Sequence, residues 1–67
     1  MPDRIEKIGR LTGREQQVAT LVCDGLSNKG VAQKLNVSEG TVKIHLHKIF
    51  LKVGVQDRLE LAVALLK

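Results

Sequence analysis

The chain has 67 residues, 43% of them hydrophobic, and a net charge of +4 from 11 Lys and Arg against 7 Asp and Glu. That is enough chain for one small domain and too much apolar content for a disordered tail. The longest apolar run, LAVALL at 61–66, is too short for a membrane span. No signal-peptide pattern opens the chain, and the single cysteine, Cys23, excludes an internal disulfide and fits a reducing cytoplasm.

The charge is localised. Acidic and basic residues balance over 1–27 and over 53–67. Between them Lys29, Lys34, Lys43, Lys48 and Lys52 face Glu39 alone, so the excess sits in the middle block. A localised basic block points to a polyanionic partner.

In chain order, residues 1–10 read as a polar leading segment or linker remnant, and 11–67 as the domain. Thr12 with Glu15 three positions on forms a capping box that starts a helix. Leu11 and Gln16 do not complete a hydrophobic staple around that start. Val18, Leu21 and Val22 are its inward stripe, and Gly25 ends it, since a left-handed terminal residue is cheapest as glycine. Ser27 caps a second helix, Asn28 to Leu35, burying Val31, Ala32 and Leu35, and Asn36 stops it. Ser38 caps a third helix running to about Val53, with Gly54 as its stop. Asp57, with Glu60, caps a fourth. No useful β-alternation or repeat is present. Asn36 and Val37 alone join the second helix to the cap of the third, which forces a sharp crossing of the helix-turn-helix kind. The expected fold is all-α, a four-helix bundle containing a helix-turn-helix.

At 100° per residue, Val42, Leu46, Ile49 and Val53 fall within about 60° of each other, with Phe50 at the edge. The opposite side carries Gly40, Lys43, Ile44, His47 and Lys48. A lysine donates to guanine acceptors, a histidine donates or accepts at a base edge, and an aliphatic group packs on a thymine methyl. Ile44 between Lys43 and His47 therefore has a reason to face outward if the solvent is replaced by a major groove. Against this stands the frequency of single exposed apolar residues. Gly40 fits close approach of a phosphate backbone, or neutral variation at a helix end. Glu39 either caps or complements the helix dipole or accepts from a cytosine amino group, with the dipole the favoured reading.

The fourth helix is apolar on two sides. Leu59, Ala62, Val63 and Leu66 form one, Leu61 and Leu65 the other. One side closes a small core and the second asks for a partner, most simply a second copy; the pattern leaves open which does which. A dimer would set two third helices one DNA turn apart on an inverted repeat.

Competing chemistries find little support. Cys23 has no orienting group or oxyanion loop beside it, and the two imidazoles of HLH at 45–47 point apart on a helix. His45 is expected toward the core side. The chain is expected to be no enzyme and to hold no metal or cofactor. Without Trp or Tyr it lacks stacking platforms for single strands. A helical protein-interaction module with solvated lysines remains the alternative from another class.

The segments LTGRE, GLSNKGVAQKL, SEGTVKIHLHKI and KVGVQDR, in that order over 11–66, closely resemble the LuxR-type (NarL/FixJ or GerE) helix-turn-helix domain. They fit it better than a sigma-factor-like domain. The resemblance implies sequence-specific double-stranded DNA binding for transcription regulation, in the bacterial cytoplasm on the nucleoid, with helix 38–53 in the major groove. It implies base reading by Lys43, Ile44 and His47, and backbone contacts from Asn28, Lys29, Thr41, Lys48 and Lys52. It also implies a homodimer through the fourth helix, drawing on Leu59, Leu61, Ala62, Val63, Leu65 and Leu66, with RNA polymerase as a further partner. Three residues depart from the pattern. Gly30 stands where a helix-favouring residue, often Glu, completes a box with Ser27. His47 replaces a longer polar residue. Leu51 points outward where a polar residue is usual, and offers a contact to a second subunit.

Overall fold

The computed structural model describes residues 9–66, which form four helices: α1 (Gly13–Cys23), α2 (Asn28–Leu35), α3 (Glu39–Val53) and α4 (Arg58–Leu66). No strand occurs among the described residues. The leading segment expected at 1–10 lies outside them except for its last two positions.

Each helix starts where local side-chain chemistry satisfies its free N–H groups. Thr12 Oγ1 accepts from Glu15 N at 3.1 Å while Thr12 N donates to Glu15 Oε1 at 2.9 Å, a complete capping box. Ser27 Oγ accepts from Gly30 N at 3.1 Å, and Ser38 Oγ from Thr41 N at 3.0 Å. At α4 the box is modified. Asp57 Oδ1 accepts from Glu60 N at 2.9 Å, but the Glu60 carboxylate takes Gln56 N at 3.1 Å, one residue earlier than a regular box requires.

The first three helices stop by one device. Gly25, Asn36 and Gly54 turn left-handed, at φ 95°, 59° and 85°. In each case the next residue's N–H reaches five positions back: Leu26 to Leu21 O, Val37 to Ala32 O, Val55 to Phe50 O, at 3.2, 2.9 and 3.0 Å. Leu26, Val37 and Val55 are apolar and pack partly buried against the core. Each stop therefore satisfies a carbonyl and adds a hydrophobic contact at the same point.

Helix α1 is the hub and packs on the other three; α2 also packs on α3, and α3 on α4. Its Val18, Ala19 and Val22 meet Val31 and Ala32 of α2, Val42, Leu46 and Ile49 of α3, and Leu61 and Leu65 of α4 in one buried cluster. Leu21 and Leu35, expected inside, are only half-buried, as are Val53 and Phe50 at the margin of the α3 stripe. Burial of each large side chain contributes about 1.5–3 kcal/mol. Leu11, just before the first cap, is buried too, and its carbonyl accepts from Gln16 Nε2 at 3.3 Å. The staple position thus works through a polar bond instead of an apolar pair.

The two apolar sides of α4 are now distinguished. Leu61 is fully buried and Leu65 nearly so, whereas Leu59, Val63 and Leu66 are 73%, 44% and 76% exposed. This corrects the expected contact set for a second subunit. Leu61 and Leu65 are spent on this chain's own core, at 0% and 8% exposure, so the outward side is Leu59, Val63 and Leu66, with Ala62 half-buried beside them.

Candidate nucleic-acid interface

Across the short α2–α3 connection α3 packs on α2 and leaves the outer side of its N-terminal half exposed. Gly40, Lys43, Ile44, His47 and Lys48 are all exposed there, Ile44 by 59%. The Ser38 cap holds the start of this helix, and the Ser38 and Thr41 hydroxyls lie 2.9 Å apart. His45 is half-buried on the flank between this face and the core.

Beside this face runs an open groove of about 350 Å³ lined by Lys43, His47 and Phe50 of α3, Asn28 of α2, and Gln56, Asp57 and Arg58 at the start of α4. Of the expected base-reading residues the groove gathers Lys43 and His47; Ile44 shares their exposed helix face but does not line it. Lys29 is exposed on α2 next to Asn28.

Three of the expected backbone contacts are already engaged within the chain. Thr41 is half-buried with its hydroxyl against Ser38. The Asn28 Oδ1 accepts from Arg58 Nη1 at 2.8 Å. Lys52 is turned away from its expected role most clearly. Its Nζ lies 2.7 Å from Glu15 Oε1, a carboxylate buried in the core margin. The same oxygen also accepts from Thr12 N. Lys52 therefore neutralises a carboxylate of its own chain. That hydrogen bond, followed by the one from the Thr12 backbone, holds the Glu15 carboxyl below its ordinary value despite desolvation, which acts the other way.

Two residues of this arrangement were not legible as site residues. Glu15 reads locally as a cap, and its second role depends on a partner 37 positions away. Arg58 carries one hint: it is a cation at the first position of a helix, where the dipole favours an anion. Among the described residues no cluster of metal-ligating side chains forms, and no helix is long and apolar enough to cross a membrane.

Residues 9–65 match the family described as bacterial regulatory proteins, luxR family. The chain belongs to that family. Over 56 residues it is 38% identical to the nitrate/nitrite response regulator protein NarL of Escherichia coli K12, covering 84% of this chain and 26% of NarL. Over 62 residues it is 42% identical to the uncharacterized transcriptional regulatory protein YhcZ of Bacillus subtilis 168, covering 92% of this chain and 29% of YhcZ. A third relative, the uncharacterized transcriptional regulatory protein YxjL of the same strain, is 46% identical over 52 residues, 78% of this chain and 24% of YxjL. The chain thus spans about a quarter of the length of these relatives, at 26%, 29% and 24%. As a LuxR-family helix-turn-helix domain it is a DNA-binding domain of the transcription-regulator type.

Proposed function

We propose that this LuxR-family domain binds duplex DNA sequence-specifically, with α3 in the major groove and Lys43, Ile44 and His47 at base edges. The observation that carries the reading is Ile44: a large aliphatic side chain, 59% exposed, on the basic face of a capped helix. Lys29, Lys48, Asn28 and Thr41 lie near enough to that face to serve the backbone, the last two within the bonds they already make. Lys52 does not count among the phosphate ligands while Glu15 holds it. The exposed side of α4, with Leu51 on α3, supports a homodimer on an inverted repeat. RNA polymerase is the further partner this reading implies, and the bacterial cytoplasm, on the nucleoid, its location.

Duplex binding measured over a range of salt concentrations tests the reading. With Lys29 and Lys48 on phosphates, log affinity per protomer is expected to fall with log salt at a slope of roughly −2. Selection from random duplexes then yields a preferred sequence. Affinity indifferent to salt, with no enriched sequence, would favour a protein-interaction module instead.

A further inference from the structure

We propose that Arg58 is a positioning residue for DNA binding, one that fixes the orientation of the Asn28 amide so that its N–H group is presented to a DNA phosphate. The proposal rests on the DNA-binding reading above and adds to it a residue outside α2 and α3.

Arg58 is the first residue of α4, yet its guanidinium leaves its own helix. Nη1 donates to Asn28 Oδ1 at 2.8 Å and Nη2 to the Leu26 carbonyl at 2.7 Å, 30 and 32 positions away. The two bonds use the fork of the guanidinium, which a lysine cannot reproduce. They hold the turn before α2 and the first residue of α2 as one unit.

An asparagine amide ordinarily has two nearly equivalent orientations, exchanging its oxygen and its NH2 group. Arg58 removes that freedom. A guanidinium has donors and no acceptor, so only the oxygen of Asn28 can face it. The NH2 group is thereby committed to the other side, as a donor. A donor is what a phosphate oxygen needs, and an amide oxygen facing the phosphate would repel it. Asn28 and Arg58 both line the groove beside Lys43 and His47, next to the face proposed to meet DNA.

Stability alone gives a weaker account of the arrangement. Arg58 sits at the positive end of α4 and bonds to the residue at the positive end of α2, an unfavourable place for a cation. Asp57 and Glu60 in the same turn offset this.

A double-mutant cycle tests the proposal, with duplex affinity at fixed salt and urea midpoint read for Asn28→Ala, Arg58→Gln and the double variant. Each single substitution is expected to weaken duplex binding about tenfold, and the double variant to bind no more weakly than either. Asn28→Asp separates positioning from folding, because it keeps an acceptor for Arg58 and has no amide donor. Its urea midpoint is expected at or above that of the unsubstituted protein while its affinity falls at least as far as that of Asn28→Ala. Losses that multiply in the double variant would make Arg58 an independent DNA contact and overturn the proposal. So would an Asn28→Asp protein that binds as the unsubstituted one does, or affinities that simply follow the urea midpoints. If the unsubstituted protein itself shows no salt-dependent duplex binding, the DNA-binding reading falls, and the positioning role with it.

Discussion

Lys52 Nζ and Glu15 Oε1 lie 2.7 Å apart, joining the last turn of α3 to the first turn of α1 across 37 positions of sequence. The carboxylate is buried, whereas the lysine side chain is 37% exposed, so water screens one partner only. Removing the lysine strands a charge in the core margin.

Lys52→Met is therefore expected to lower unfolding stability by about 1–3 kcal/mol, less than a fully buried pair because of that exposure. Urea unfolding measures it. Any loss of duplex affinity in this variant should disappear once the folded fraction is accounted for. A loss that persists at full folding would return Lys52 to the phosphate ligands.

The same pair sets an acid limit. The folded pKa of Glu15 is held below its ordinary value of 4.5, chiefly by Lys52. Ionised Glu15 thus stabilises the fold fully above its unfolded pKa, and that contribution is lost as pH falls through the lowered folded value. Unfolding midpoints measured across the acid range should show a steeper decline for the unsubstituted protein than for Glu15→Gln, whose baseline is lower and flatter.

Two helical glycines separate folding from binding. A Cβ at Gly30 meets Leu26 and Ser27 atoms at 3.5 Å, ordinary contact, and one at Gly40 meets only Ser38 Oγ at 3.8 Å. Alanine at either site is expected to stabilise by roughly 0.5–1 kcal/mol. Gly30→Glu adds the missing half of a capping box with Ser27. Calorimetry should show raised melting temperatures for both alanine variants, with duplex affinity reduced only for Gly40→Ala, on the face proposed to approach a phosphate backbone.

Base reading makes a contrast between neighbours. Lys43→Ala and His47→Ala are expected to cost about 1–3 kcal/mol against the preferred duplex and little against others, relaxing specificity at separate positions. Lys48→Ala, at a proposed backbone contact, is expected to weaken all duplexes alike. Competition binding with single-base variants reads the difference; sequence-blind losses from Lys43 and His47 would remove them from the base edges.

On α4, Leu59 or Leu66 replaced by Glu is expected to shift the protein toward monomer in sedimentation, leaving the unfolding free energy within about 0.5 kcal/mol. Leu61→Ala instead costs about 2–5 kcal/mol by opening a cavity in the core. Unchanged sedimentation of the Glu variants would exclude this side of α4 as the dimer contact.

What could be read from sequence follows the range of the interactions. Thr12, Ser27 and Ser38 act on residues three positions away, and Asn36 and Gly54 on the turn they end, so spacing and residue type suffice. The outward face of α3 follows from helical period alone. Glu15 with Lys52, and Arg58 with Asn28, join residues 37 and 30 positions apart, and although Arg58 is out of place as a cation opening a helix, no local pattern names either residue's partner. Which side of α4 is exposed was undecidable for a related reason. Both its sides are apolar, and only the packing of Leu61 and Leu65 against α1 decides between them.

The Glu15–Lys52 tie has a mechanical consequence. It anchors the far end of α3 to the hub helix, while the Ser38 cap and the tight α2–α3 corner fix the near end. Tied near both ends, α3 is held to the hub helix and to α2 and meets a partner as part of one body with the core. If α3 enters a major groove as proposed, fitting to differing sequences then falls to bending of the duplex.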